Sequence, residues 1–250
     1  MSKRKRIDLL FDLSGSDANT NGKVRKRKEP SIPPKNDKEL NAIIDDIYER
    51  NPILSYCLMM QALTGLRYSD CSQLMFRDFY RNGRIVDSFS VIQQKTFGSR
   101  VTKRVGKFEK EFGCPISKDD HSKIVRKAAR DSSVTVYMND SIEELVMLCK
   151  REQPESEYLF ANKNPKSNGL PMDIRNAEYH LRKTEINLAL NYQLRTHSFR
   201  KCFSLKLIRD KVSILVIRDL LGHANIATTN AYLSTIDGEM ADVIKGLKYW

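Results

Sequence analysis

Across 250 residues, 43 Lys and Arg stand against 31 Asp and Glu, giving a formal charge of +12 in a chain that is 40% hydrophobic. That composition suits one large core or two smaller ones and favours a polyanionic partner such as nucleic acid. No apolar run approaches a membrane span, the N-terminus lacks the apolar core of a secretory signal, and the five cysteines (57, 71, 114, 149, 202) include no C-x-x-C pair; a cytoplasmic protein with free thiols, no membrane association and no assigned metal is expected.

Residues 1–31 carry basic clusters at Lys3, Arg4, Lys5 and Arg6 and at Lys23, Arg25, Lys26, Arg27 and Lys28, with Ser, Asp, Asn and Gly between them. This predicts a disordered basic arm, with the folded domain from residue 32 onward. Apolar positions 40, 43, 44 and 47 mark an amphipathic helix over 37–49 with Asp37 near its start, and 53–63 reads as a largely buried helix ended by Gly65. Residues 69–76 suggest a third helix, leaving Arg67 in the turn between two buried helices, placed to aim inward. The run IVDSFSVIQQK at 85–95 reads as a strand and 96–100 as a glycine turn. From 100 to 133, ten Lys and Arg face five Asp and Glu, and a helix near 119–130 sets Lys123, Arg126, Lys127 and Arg130 beside Ile124, Val125, Ala128 and Ala129. Residues 134–138 read as a strand, 141–151 as a helix, 157–162 as a short strand or turn, and 173–190 as a helix.

The chemistry concentrates in 193–233. His197 and Arg200, three positions apart, share a face if Thr196 or Ser198 opens a helix. Residues 212–221 predict a helix that stops on Gly222 in the left-handed region, which delivers His223 just past its end. Thr228 and Thr229 are expected to cap a further helix with Tyr232 about one turn inside it, its hydroxyl turned back toward the preceding loop. Two imidazoles, a guanidinium and a phenol then converge. That set suits a phosphodiester: a fork of donors for nonbridging oxygens, imidazoles for proton transfer and a tyrosine nucleophile. An apolar stripe at Met240, Val243, Ile244, Leu247 and Trp250 closes the chain.

H-x-x-R at His197 and Arg200, L-G-H at Leu221, Gly222 and His223, and Tyr232 nine residues after that histidine resemble the C-terminal signature of the tyrosine recombinase (phage integrase) family. TGLRYSD at 64–70 is similar to the family's arginine box. The resemblance implies an α+β, mainly α-helical catalytic domain over 32–250 with a small antiparallel β-sheet or hairpin. It implies a site-specific DNA recombinase or integrase in which Tyr232 attacks the scissile phosphate to form a 3′-phosphotyrosyl link, with neither metal nor cofactor. In that scheme Arg67 and Arg200 grip nonbridging oxygens, His197 assists proton transfer and His223 donates to the phosphate. The family's hairpin lysine falls best on Lys95, with Lys103 next. Asp70 is expected to brace the guanidinium geometry. The alternatives are a type IB topoisomerase-like relaxing activity and a non-catalytic DNA-binding regulator of the same fold.

The family's hairpin should close soon after its lysine, whereas the strand at 134–138 returns late, so 100–133 is expected to be a basic insertion within the hairpin. The helical core-binding domain that usually precedes this catalytic domain is not expected within these residues. The insertion, through Lys123, Arg126, Lys127 and Arg130, and the arm are expected to supply part of the DNA grip. Expected partners are double-stranded DNA, further copies of the chain (a dimer on one site, a tetramer in synapsis, the C-terminal helix open to exchange) and an accessory DNA-binding protein.

Overall fold

The computed structural model describes residues 31–223, 225–227 and 229. All lie in one compact unit, Ser31–Trp250. The basic arm, Tyr232 and the C-terminal stripe lie outside the described residues.

Helix α1, Asp37–Arg50, starts where expected, and Asn36 caps it by accepting the Glu39 N–H at 2.9 Å. Helix α2, Pro52–Thr64, is capped by Asn51, which accepts the Leu54 N–H at 2.9 Å, and has Pro52 in its first turn. Its sequence is apolar on every side, so it can only be a central helix; Leu58, Met60 and Gln61 are all fully buried. The third helix expected over 69–76 is two short ones, α3 (Tyr68–Cys71) and α4 (Phe76–Phe79), because the chain turns at Ser72 and Gln73 between them.

A two-residue hairpin follows, β1 (Tyr80–Arg81) with β2 (Arg84–Ile85). Strand β3, Ser88–Ile92, then pairs antiparallel with β4, Ser133–Tyr137, in the register Val91 opposite Val134. The strand is therefore shorter than the sequence run suggested, and the glycine turn expected at 96–100 does not form. Helix α5, Gln94–Phe112, takes over immediately. The buried Asp70 carboxylate accepts the Gln94 N–H at 3.0 Å and so caps its start. Gly98 costs the helix about 1 kcal/mol, which the stripe of half-buried Phe97, Val101, Val105 and Phe108 offsets.

Helix α6, Lys118–Asp131, is capped by Ser117 and packs on α5. As the pattern predicted, Ala128 is buried and Ile124, Val125 and Ala129 half-buried, while Lys123, Arg126, Lys127 and Arg130 are exposed. The excursion between β3 and β4 is thus a helical pair that leaves the sheet at Gln94, not Arg100.

Residues 157–162 supply two isolated bridges, Tyr158 to Met75 and Ala161 to Pro171. Helices α7 (Asp140–Glu152), α8 (Ile174–Asn187), α9 (Thr196–Arg209) and α10 (Ile214–Leu221) complete the described chain. Helix α2 is wrapped by α1, α7 and α9, while α10 lies against β4. The result is mainly helical with small antiparallel sheets, and it brings the arginine box after α2, the end of β3 and the start of α9 to one place.

Candidate active site

Arg200 is 0% exposed, and a buried guanidinium needs acceptors at every side. Two of them come from helix ends. Its Nη1 donates to the Gly65 carbonyl at 2.6 Å and its Nη2 to the Leu221 carbonyl at 2.7 Å. Gly65 caps α2 and Gly222 caps α10, both left-handed, with φ of 67° and 64°. Such ends turn orphan carbonyls, the negative poles of the helices, toward the cation. A Cβ on Gly65 would lie 2.4 Å from Phe203 Cδ1, and one on Gly222 would lie 2.4 Å from Val134 Cγ1. The glycines of both motifs therefore serve the same buried charge.

His223 follows directly. Its Nε2 lies 2.9 Å from Arg200 Nη2 and its Nδ1 2.9 Å from Thr229 Oγ1. The helix expected to be capped by Thr228 and Thr229 begins earlier: Ile226 and Ala227 are already helical, and Asn225 accepts the Ala227 N–H at 2.9 Å. Thr229 is left to hold the imidazole. Desolvation, then the charges of Arg200 and Arg67, press the His223 pKa down to about 3.

His197 opens α9 beside Arg200, as the H-x-x-R spacing anticipated. It is the outermost of the set, exposed at the edge, although the protein packed against its ring and the charges of Arg200, Lys201, Arg67 and Lys95 lower its pKa to about 4. Solvent at the exposed edge screens those charges; the direction is that of a neutral imidazole at neutral pH. Lys95 is exposed in the first turn of α5, rather than at a strand end, and is close enough for its charge to act on His197. Lys103, further along α5, is also exposed.

Arg67 is half-buried and donates through Nη1 to Gln93 Oε1. Asp70 is 4% exposed, and its hydrogen bond goes to the Gln94 backbone rather than to a guanidinium. Burial raises its pKa, partly countered by that N–H and by the charges of Arg67 and Arg200. Its bracing is thus directed at the start of the helix carrying Lys95. The basic residues Lys123, Arg126, Lys127 and Arg130 stand apart on α6, with Lys123 paired to Asp120 at 2.9 Å.

Two contributors were not singled out from sequence. Glu178 on α8 accepts from the backbone N–H and hydroxyl of Thr196 at 3.0 and 2.9 Å, holding the start of α9. Gln93, 1% exposed, bridges Arg67 to the Leu221 carbonyl. Alternation would have found it: Phe89 and Val91 face inward along β3, and Gln93 continues that phase. Among the described residues no group of three His, Cys, Asp or Glu is arranged to hold a metal ion, and no helix is long and apolar enough to cross a membrane.

Comparison with known proteins bears on the family and the fold. A tyrosine recombinase of Pseudothermotoga lettingae is 29% identical over 121 residues, 48% of this chain and 40% of that protein. The tyrosine recombinase XerC of Listeria welshimeri is 23% identical over 199 residues, 78% of this chain and 55% of that protein. The chain thus spans about half the length of these relatives. The crystal structure of XerA recombinase superposes with a TM-score of 0.56 at 16% identity, covering 88% of this chain and 68% of that one. A lambda integrase dimer bound to a COC′ core site gives 0.55 at 14% identity, covering 82% and 49%. The profile of the phage integrase family matches residues 32–238, most of the chain, and the chain belongs to that family.

Proposed function

We propose that this chain is a site-specific recombinase that cleaves and rejoins double-stranded DNA through a 3′-phosphotyrosyl intermediate on Tyr232. The observation that carries the reading is the convergence of Arg67, His197, Arg200 and His223, residues from opposite ends of the domain, with Lys95 beside them. Arg67 and Arg200 supply positive charge fixed before the substrate arrives, which is what a pentacoordinate phosphorus with developing negative charge requires. The Tyr232 oxygen attacks phosphorus, and its proton passes to the neutral His197 imidazole. The bond from phosphorus to the 5′ oxygen breaks, and Lys95 gives that oxygen its proton. The new ester retains the bond energy, so a second 5′ hydroxyl reverses the step.

The donor role expected of His223 does not fall to Nε2 in this arrangement, because Arg200 approaches that nitrogen with a donor. In this arrangement His223 steadies Arg200, and Thr229 steadies His223. Asp70 holds the start of α5 and with it Lys95.

The helical pair between β3 and β4 is proposed as a basic insertion that tracks the duplex, with the arm at 1–31 as a second contact. Two copies on one site and four in synapsis are proposed, with the C-terminal segment exchanged between copies and an accessory DNA-binding protein assisting. A supercoiled plasmid carrying two copies of a recombination site, sought among inverted repeats in the DNA flanking the gene, tests the reading. Deletion or inversion between the copies is the expected product; relaxation of a one-site plasmid without any recombinant would overturn it.

A further inference from the structure

The side chain between the two arginines belongs to neither motif. Gln93 ends the inward phase of β3, and its N–H donates to the Ser132 carbonyl at 2.9 Å, so its backbone extends the β3–β4 ladder. Its amide has two ends with opposite needs. Oε1 accepts from Arg67 Nη1, and Nε2 donates to the Leu221 carbonyl at 2.8 Å. A guanidinium only donates and a backbone carbonyl only accepts, so one orientation of the amide satisfies both and the flipped one satisfies neither. The Leu221 carbonyl also receives Arg200 Nη2, the nitrogen that meets His223 Nε2. One hydrogen-bonded chain therefore runs from Arg67 through Gln93, Leu221 and Arg200 to His223. Gly222 keeps room for it, since a Cβ there would lie 3.1 Å from both polar atoms of the amide.

We infer that Gln93 is a positioning residue for strand transfer: its amide fixes Arg67 relative to the Leu221–His223 segment, so that both guanidinium charges are presented to one phosphate. The inference rests on the strand-transfer reading and deepens it. Two substitutions of similar volume separate the ends of the amide. Gln93→Met removes both hydrogen bonds. Gln93→Glu keeps an acceptor for Arg67, neutralises part of its charge and sets a carboxylate oxygen against the Leu221 carbonyl.

The test is single-turnover cleavage of a nicked duplex by the full chain, with duplex affinity and thermal midpoint measured alongside, in wild type, both Gln93 variants, Arg67→Ala and the double variants. Both Gln93 variants should cleave about ten- to hundredfold more slowly at saturating DNA: Gln93→Met because Arg67 loses its hydrogen bond, and Gln93→Glu because the carboxylate offsets the Arg67 charge and loses the donor to the Leu221 carbonyl. Duplex affinity should stay within about threefold, and Gln93→Met should slow Arg67→Ala by less than about threefold, because the group it positions is gone. A full-sized loss in the Arg67→Ala background would show a merely structural role and overturn the inference, as would wild-type cleavage rates in both Gln93 variants. Absence of covalent product from the wild-type chain would instead overturn the strand-transfer reading, and this inference with it.

Discussion

Arg200 Nη2 and His223 Nε2 are 2.9 Å apart, and because the guanidinium can only donate, His223 is held as the tautomer with its proton on Nδ1, toward Thr229. This has a consequence for stability. The folded pKa, about 3, lies below the ordinary histidine value of 6.5. As pH falls below the ordinary value, the unfolded chain binds a proton that the folded chain refuses. Stability present above pH 6.5 is therefore lost toward pH 3, by up to about 1.4 kcal/mol per pH unit for this one group. His223→Gln, which keeps an acceptor for Arg200 but does not titrate, should flatten the fall. Urea unfolding at pH 7, 6 and 5 checks it, and parallel profiles for the two proteins would contradict the assignment.

Gly222→Ala should be costly twice over, because φ is +64° and the new Cβ would meet Val134 Cγ1 at 2.4 Å in a packed β-strand. Backbone strain and overpacking together predict a loss of roughly 2–4 kcal/mol, or a Tm lower by about 5–15 °C for a chain of this size. Gly98→Ala is the control: it lies within α5 with open space around it, and should leave stability unchanged or raise it by up to about 1 kcal/mol.

Lys95 is proposed as the general acid from the family resemblance, and its charge is felt at His197. A duplex with sulfur in place of the bridging 5′ oxygen leaves without needing a proton, so it should restore cleavage to Lys95→Ala while giving Lys103→Ala no special benefit. Rescue of Lys103→Ala alone would move the acid about two turns further along α5.

On α6, Lys123, Arg126, Lys127 and Arg130 are all exposed beside a packed apolar face. Changing the four to Ala should flatten the slope of log affinity against log salt by about 3 to 4 units, at roughly 0.9 per phosphate contact. Lys123 gives up its Asp120 partner to make such a contact, which favours the lower end. An unchanged slope with binding intact would mean that this face does not touch DNA.

Much of the architecture was legible because it rests on local chemistry. Gly65 and Gly222 announced two helix ends, and spacing alone put His197 beside Arg200 on α9. The strand-like run at 85–95 misled because Val, Ile and Phe favour strands, while what starts α5 at Gln94 is a carboxylate 24 residues away, Asp70. No local window contains that contact. Gln93 was missed for a different reason: a glutamine among strand residues reads as surface, and only the inward phase of Phe89 and Val91 marks it as buried. The Asn82–Gly83 pair, a strong two-residue hairpin signal with positive φ at both positions, was likewise passed over.

The central claim is that Tyr232 becomes bonded to DNA. Incubating the chain with a nicked duplex carrying its recombination site, from which the cleaved fragment diffuses away, should trap a protein–DNA adduct that survives denaturation. Tyr232→Phe removes one oxygen and should bind the same duplex with no adduct at all. Failure of the wild-type chain to form the adduct, or its persistence in Tyr232→Phe, would contradict the account.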